Sequence, residues 1–197
     1  MTIKSILLDL GGVLVDLEWH QRVSMLLDRD VPPNEIHQLW VDSPIVQDFE
    51  CGRCDHETFV RGLQQEFEIN ATTGDIAEHF YHMVKGPKPD VEAVLGRLAD
   101  RFHMGLLSNT NPVHHQRILD ETQILKPFDQ LFMSYQMGVM KPHEDIFHQA
   151  LRQTGVAPEQ TAFFDDGAIN IEAAKKLGMQ AFQVNSPQEI EKILSES

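Results

Sequence analysis

Several polar residues that could carry chemistry stand at the ends of apolar, strand-like segments. In an open parallel sheet, ligands bind beyond the carboxyl ends of the strands. The sequence therefore predicts that three carboxylates, one hydroxyl and one lysine converge on one crevice. Asp9 follows segment 3–8, Ser108 and Asn109 follow segment 104–107, Asp165 and Asp166 follow segment 161–164, and Lys141 precedes the helix-like segment 143–153.

The adjacent pair Asp165-Asp166 is the most specific of these signals. A single aspartate at a strand end is often only a turn or helix-cap residue. Asn111 before Pro112 is likewise typical of an ordinary helix start. Two neighbouring carboxylates repel each other, however, and a bound cation removes that repulsion. The order and spacing of all these segments together make the pattern informative.

The elements that must position these residues alternate between two kinds. Strand–helix alternation with strands of the buried type predicts an α/β fold with a doubly wound parallel sheet. Amphipathic helical patterns occupy 143–153 and 169–177, and Ser186-Pro187 opens a last helix. Near-continuous apolar runs, as expected for strands buried on both faces, lie at 3–9, 104–108, 131–134, 161–165 and 180–184.

Residues 16–86 interrupt this alternation. They carry helical apolar stripes without a clear strand, and Pro32-Pro33 separates two of the helices. We predict a small all-helical cap domain over 16–86, inserted into a core domain formed by 1–15 and 87–197. Segment 85–89, with two lysines, a glycine and two prolines, marks the return to the core.

The overall charge limits the classes of partner. Sixteen Lys and Arg against 30 Asp and Glu give a net charge of -14. Such a surface argues against nucleic acid and anionic membranes, whose phosphates need a basic footprint. A small anionic substrate requires local cations or a bound metal. Without an apolar run of transmembrane length or a signal-peptide pattern, we expect a cytoplasmic protein.

The motifs resemble those of the haloacid dehalogenase (HAD) superfamily over nearly the whole chain. The matching segments are LDLGGV at 8–13, LSNTN at 107–111, GVMKP at 138–142 and FFDD at 163–166. The chain looks most like the sugar-phosphatase branch that includes alpha-D-glucose-1-phosphate phosphatase, whose Glu-x-Gly cap loop resembles 50–52. The resemblance implies a Rossmann-like HAD core and an Mg²⁺-dependent phosphatase. Its substrate would be a small phosphorylated metabolite, in particular a sugar phosphate, hydrolysed through an aspartyl-phosphate.

The resemblance also implies a role for each motif residue. Asp9 would be the nucleophile and, with the Gly11 carbonyl and Asp166, a metal ligand. Asp165 would be a further ligand or act through water. Lys141 would neutralise the phosphoryl oxygens and keep Asp9 ionised. The residues expected to bind substrate are Gly12, Glu50, Ser108 and Asn109, and Asn170 is expected to orient the metal loop.

Position 11 departs from the usual pattern of the superfamily. Most of its phosphatases place a second aspartate two residues after the nucleophile, where it protonates the leaving group and activates water. Here Gly11 stands there, as in the branch named above. Proton transfer must then come from Glu50, water or the substrate, so we expect a leaving group that needs little acid assistance, such as an anomeric sugar phosphate.

Three alternatives stay open from the sequence. A metal-free dehalogenase also uses an aspartate nucleophile on this fold, although it has no use for a repelling acid pair. A catalytically weakened scaffold could use the helical insert to bind a partner. Transfer of the phosphoryl group to a sugar hydroxyl rather than to water is a variant of the main interpretation.

Cys51 and Cys54 have the spacing of a redox dithiol or of half a zinc site. A structural zinc site needs two further ligands, and only His56 is close in sequence. Their flanks predict a loop between two helices, where the pair is more simply coincidental.

Overall fold

The computed structural model describes residues 2–29 and 31–196, without the side chains of residues 33 and 34. The strands in that part of the chain are β1 (Ser5–Leu8), β2 (Val15–Leu17), β3 (Val84–Pro87), β4 (His103–Ser108), β5 (Gln130–Met133), β6 (Thr161–Asp165) and β7 (Gln180–Gln183). The helices are α1 (Trp19–Leu26), α2 (Pro33–Asp42), α3 (Pro44–Glu50), α4 (His56–Glu66), α5 (Thr73–Tyr81), α6 (Val91–Ala99), α7 (Pro112–Glu121), α8 (Ser134–Met137), α9 (Glu144–Thr154), α10 (Ala168–Lys176) and α11 (Pro187–Ser195).

Five strands form the parallel sheet that the apolar runs predict, in the order β5-β4-β1-β6-β7. Successive side chains of a strand point to opposite faces. Ile6 and Leu8 accordingly join one buried cluster, with α6 and α11, while Leu7 joins a second cluster with α9 and α10. Helices thus cover both faces, which confirms the doubly wound α/β fold.

The strand order brings the candidate residues to one edge of this sheet. β1 lies between β4 and β6, and Leu8 is in register with Leu106 on one side and Phe164 on the other. Because all three strands run in the same direction, their carboxyl ends meet. Asp9, Ser108 and Asp165 therefore stand side by side at that edge.

Helices α1 to α5 occupy the segment predicted to be helical. Their apolar stripes meet in a cluster of their own, centred on Phe49, Phe59 and Phe80. The rings of Phe49 and Phe59 stack at 4.2 Å, and Phe80 meets Phe59 edge-on at 4.6 Å. This separate core supports our proposal that 16–86 forms a cap unit, with 1–15 and 87–197 as the core unit.

The expectation that residues 16–86 hold no strand is wrong. β2 and β3 pair antiparallel where the chain leaves and re-enters the core. The two strands leave no recognisable pattern in the sequence because they are only three and four residues long, are bulged at Asp16/Leu17, and contain Gly86 and Pro87. Such segments carry no period-two apolar alternation.

Among the described helices, none is long and apolar enough to cross a membrane. The loop holding Cys51 and Cys54 lies between α3 and α4, as predicted, and both cysteines are free thiols.

His114 on α7 joins the core to the end of cap helix α5. Its Nε2 donates to the Phe80 carbonyl at 2.7 Å, and its ring stacks on the Phe80 ring at 4.3 Å. Its Nδ1 accepts from Asn111 Nδ2 at 3.1 Å. The neighbouring Tyr81 carbonyl accepts from Arg117 Nη1 at 2.7 Å. α7 therefore gives the Tyr81 carbonyl a hydrogen-bond partner at the end of α5, and it adds a second donor to the Phe80 carbonyl, which already accepts from the Met83 N–H at 3.0 Å.

We predict that His114 makes folding less favourable at acid pH. Burial lowers the pKa of His114 to about 4, so protonation below the ordinary histidine pKa occurs first in the unfolded chain. Its contribution to the free energy of unfolding should be lost between about pH 6.5 and 4, by about 1–3 kcal/mol. The contribution of His114 is the difference in the free energy of unfolding between wild type and His114→Gln, measured by denaturant unfolding at several pH values across this range.

The variant's deficit in stability should therefore shrink as the pH falls. His148→Gln, at an exposed position on α9, is the matched control. A deficit in His114→Gln that stays constant from pH 7 to 4 would contradict the prediction.

Candidate functional site

A buried lysine between two aspartates forms the centre of the site. Lys141 Nζ lies 2.7 Å from Asp9 Oδ1 and 2.5 Å from Asp165 Oδ2, and it also donates to the Leu107 carbonyl at 2.9 Å. Burial alone would lower the pKa of Lys141, but the two carboxylates outweigh it and raise that pKa above its ordinary value. The lysine is thus held charged at the edge of the sheet.

Asn109 fixes the loop that carries Lys141. Its Oδ1 accepts from the Lys141 backbone N–H at 2.7 Å, and its Nδ2 donates to the Lys141 carbonyl at 2.9 Å. Asn109 directly follows β4, so this pair of bonds ties the lysine loop to the sheet. The sequence predicted Asn109 only as a phosphate donor and missed this bracing role.

Asp165 is fully buried and engaged on both oxygens. Oδ2 meets Lys141, while Oδ1 accepts from the Gly167 backbone N–H at 2.7 Å and from Asn170 Nδ2 at 2.9 Å. Asp165 therefore joins the lysine to the start of α10. Asn170 orders the loop after β6 by bonding to this carboxylate.

Gly12 permits the close approach of Asp166 to the loop after β1. Its φ of +75° lies in the left-handed region that favours glycine. A Cβ added here would lie 2.2 Å from Asp166 Oδ2, nearer than any atoms can pack. Gly11 has no such strain; an added Cβ would meet the Leu17 side chain at 3.0 Å.

Three carboxylates form a group that suits a divalent cation. One oxygen each from Asp9, Asp165 and Asp166 lie within 4.8 Å of one another. The pKa of Asp9 is raised to about 7 because burial disfavours its charge; Lys141 opposes this and Asp165 adds to it. Burial and Asp165 raise the pKa of Asp166 as well. The three carboxylates offer only oxygen ligands, which suit Mg²⁺, and a bound Mg²⁺ would relieve the repulsion between them.

A cavity of about 270 Å³ opens above these residues, between the core edge and the cap. Of the residues predicted from the sequence, Gly12 and Asp165 do not line it, since Gly12 backs Asp166 and Asp165 is buried behind Lys141. Ser108 does, with its hydroxyl 3.3 Å from the Asn109 carbonyl. The predicted residues that line it are Asp9, Gly11, Glu50, Ser108, Asn109, Lys141, Asp166 and Asn170.

The cap side of the cavity is mainly apolar and aromatic. Trp19, Trp40, Phe80 and His37 are the aromatic and histidine residues of the cap that line it, whereas His20, Tyr81 and His82 are not among its walls. His114 and Asn111 also line it and were missed as site residues, because only the packing of α7 against the cap brings them there. The remaining apolar members of the cap wall are Leu17, Val41, Val46, Met83 and Val84.

Comparison with known proteins gives a consistent result. Residues 3–178 match the family model described as haloacid dehalogenase-like hydrolase. D-ribitol-5-phosphate phosphatase from Bacteroides thetaiotaomicron is 32% identical, over 92% of this chain and 91% of the relative.

Solved structures agree with the fold. A HAD-like family hydrolase from Porphyromonas gingivalis superposes with a TM-score of 0.81 at 27% identity, covering 100% of both chains. A HAD family enzyme from Bacteroides thetaiotaomicron, crystallised with magnesium and inorganic phosphate, gives a TM-score of 0.74 at 24% identity over 92% of this chain and 93% of that one.

We predict that Gly12→Ala weakens magnesium binding by about 10- to 100-fold, because the added methyl group displaces Asp166 from the acid cluster. Isothermal titration calorimetry with MgCl₂ measures the change. Gly155→Ala is the matched control: its φ is +67°, so it bears the same backbone cost, but an added Cβ has nothing within 4 Å. Equal magnesium affinity in both variants would contradict the assigned position of Asp166.

Proposed function

The chain belongs to the haloacid dehalogenase-like hydrolase family, and from that premise we propose that it is a magnesium-dependent phosphatase of small phosphorylated metabolites. The observation that carries the proposal is the Asp9–Lys141–Asp165 cluster, which opens with Asp166 into the cavity under the cap. A carboxylate, an ammonium group and a cation site at one point are the parts that phosphoryl transfer requires.

Asp9 is the proposed nucleophile. Its carboxylate attacks phosphorus, the bond from phosphorus to the leaving oxygen breaks, and an aspartyl-phosphate and an alcohol result. Water then attacks phosphorus, which releases inorganic phosphate and restores Asp9. Lys141 favours the ionised carboxylate that the first step needs, because its Nζ lies 2.7 Å from Oδ1.

The donor set assigns the metal to Asp9, Asp166 and the Gly11 carbonyl. Asp165 acts behind them, since both of its oxygens already accept hydrogen bonds. When bound there, Mg²⁺ supplies positive charge for the phosphoryl oxygens and for the crowded carboxylates. The relative crystallised with magnesium and phosphate supports this choice of ion.

The phosphoryl oxygens are assigned to the core side of the cavity. Lys141 offers the ammonium charge, and Ser108 offers a hydroxyl that lies at the end of β4 beside Asp9. One of the two amide hydrogens of Asn109 bonds to the Lys141 carbonyl, and the second is assigned to a phosphoryl oxygen. Lys141, Ser108 and Asn109 would stabilise charge on the transferring phosphoryl group. Gly12, which the sequence also predicted to bind substrate, is left out of this set, because it is not among the residues that line the cavity and its N–H already donates to the Val15 carbonyl at 2.9 Å.

A sugar or polyol phosphate is the first candidate substrate. The 32% identical relative carries the name of a polyol phosphate phosphatase. Such a substrate would place its carbon face on Trp19 and Trp40 and its hydroxyls toward Glu50 and His37, which also line the cavity. The mainly apolar cap wall favours, as a second candidate, the phosphate of an alcohol with few hydroxyls.

We predict that phosphate release requires both magnesium and Asp9. In a panel of sugar, polyol and apolar alcohol phosphates, chelation with EDTA should stop turnover, and Asp9→Asn should lower kcat/KM by about 10³-fold or more. Asp120→Asn, an exposed aspartate on α7, is the matched control. Phosphate release and protein fold are measured by a phosphate assay and by circular dichroism.

The rival functions give different results in the same experiment. Halide release from 2-haloacids in the presence of EDTA would indicate a metal-free dehalogenase. Absence of turnover on every ester, with magnesium bound, would indicate a retired scaffold. Phosphate appearing on an added sugar rather than in solution would indicate a phosphotransferase.

A further inference from the structure

Gly11 stands where most phosphatases of the superfamily place the aspartate that protonates the leaving group. Position 11 lines the cavity two residues after Asp9, and it is a glycine with no side chain to donate. An alkoxide is a poor leaving group unless it is protonated as it departs. Six titratable residues line the cavity within the described part of the chain, namely Asp9, His37, Glu50, His114, Lys141 and Asp166.

Four of these six are committed elsewhere. Asp9 and Asp166 belong to the acid cluster, and Lys141 is bound to two carboxylates. Both ring nitrogens of His114 are in hydrogen bonds, and burial lowers its pKa to about 4, so it is not protonated near neutral pH. Two groups are left, His37 and Glu50.

Glu50 is the better placed of the two. His37 lies on the exposed face of α2, where its ring meets the edge of Trp19. Glu50 is the last residue of α3, only partly exposed, and its carboxyl group accepts a hydrogen bond from the Trp40 side chain. It is near enough to Lys141 to feel its charge.

The loop after Glu50 packs closely against the core. Gly52 has a φ of +68°, and a Cβ there would lie 2.2 Å from the Tyr135 carbonyl of α8. Phe49, beside Glu50, is buried in the cap cluster. The glutamate is thus held between two fixed contacts, one in the cap and one on the core. Glu50 lines the cavity from the cap, whereas Asp9 lines it from the core. The leaving group of an in-line displacement departs on the side away from the nucleophile.

We propose that Glu50 is the general acid that protonates the leaving oxygen, and the general base for the water that follows. This proposal rests on the phosphatase function proposed above. It places the missing donor in the cap rather than beside Asp9. It also removes the restriction to weakly basic leaving groups that Gly11 alone would impose, so alkyl phosphates become substrates.

Glu50 loses one proton in the first step and regains one in the second. In the first step its carboxylic acid gives a proton to the oxygen as the bond to phosphorus breaks, leaving a carboxylate and a neutral alcohol. In the second step that carboxylate takes a proton from the water attacking the aspartyl-phosphate. Overall, one phosphate ester and one water give one alcohol and one inorganic phosphate, and Asp9 and Glu50 return to their starting states.

The environment of Glu50 suits both steps. Burial raises the pKa of Glu50 to about 7, against the opposing effects of the Trp40 hydrogen bond and the Lys141 charge. Both protonation states are therefore accessible near neutral pH, which is the condition for a group that acts first as acid and then as base. The other titratable groups that face it are the cavity residues named above.

The test is the dependence of Glu50→Gln on the leaving group. With an alkyl phosphate such as ribitol 5-phosphate, the variant should lose about 10²- to 10⁴-fold in kcat/KM. With 4-nitrophenyl phosphate, whose leaving group needs no proton, it should lose less than about tenfold. Glu57→Gln, an exposed glutamate on α4 paired with Arg61, should change neither rate.

Other outcomes separate this proposal from the one it rests on. Equal losses on both esters would mean that Glu50 only binds or positions the substrate, and no loss on either would mean that the acid lies elsewhere; each result overturns the proposal. Wild-type protein inactive on both of these esters and on the whole panel above, like Asp9→Asn, would instead overturn the phosphatase function. If Glu50→Gln does not fold, the wild-type kcat/KM is compared across aryl and alkyl phosphates instead. A steep fall in kcat/KM as the leaving group becomes more basic would contradict the presence of a general acid.

Discussion

Lys141 lies between Asp9 and Asp165, and its ammonium group is within hydrogen-bonding distance of both carboxylates. Burying charges is costly unless they are paired with good geometry, so each of these groups depends on the other two. Asn109 holds the lysine loop to β4, and Asn170 holds Asp165 to α10. Asp9, the proposed nucleophile, is thereby fixed at the sheet edge rather than on a loose loop, and it is positioned before any ligand arrives.

The cap completes what this core cluster cannot supply. In the proposed mechanism, Asp9, Lys141, Asp165 and Asp166 hold the phosphoryl group and the cation, and none of these four side chains protonates the leaving oxygen. The cap provides an apolar wall with Trp40 and one carboxyl group, Glu50. Contacts through Gly52 and His114 fix the cap on the core. In the proposed mechanism, substrate choice and proton transfer thus belong to the cap, and phosphoryl transfer to the core.

Much of this arrangement follows from the sequence for physical reasons. Apolar runs predicted the five strands to within two residues, and parallel strands share a carboxyl edge, so Asp9, Ser108 and Asp165 had to meet there. The contacts that brace the site were not predictable. The bonds of Asn109 to the Lys141 backbone, and of Trp40 to Glu50, arise only when distant segments pack together. The β2–β3 ribbon was missed because its short, bulged strands leave no periodic pattern.

The central claim is that Asp9 carries the phosphoryl group during turnover. The most direct measurement is acid quenching in the presteady state with magnesium and 4-nitrophenyl phosphate, followed by mass spectrometry of the digested protein. The peptide that contains Asp9 should carry one phosphoryl group, which hydroxylamine removes as expected of an acyl phosphate. Turnover without phosphorylation of any peptide, or with the group on another residue, would contradict the account.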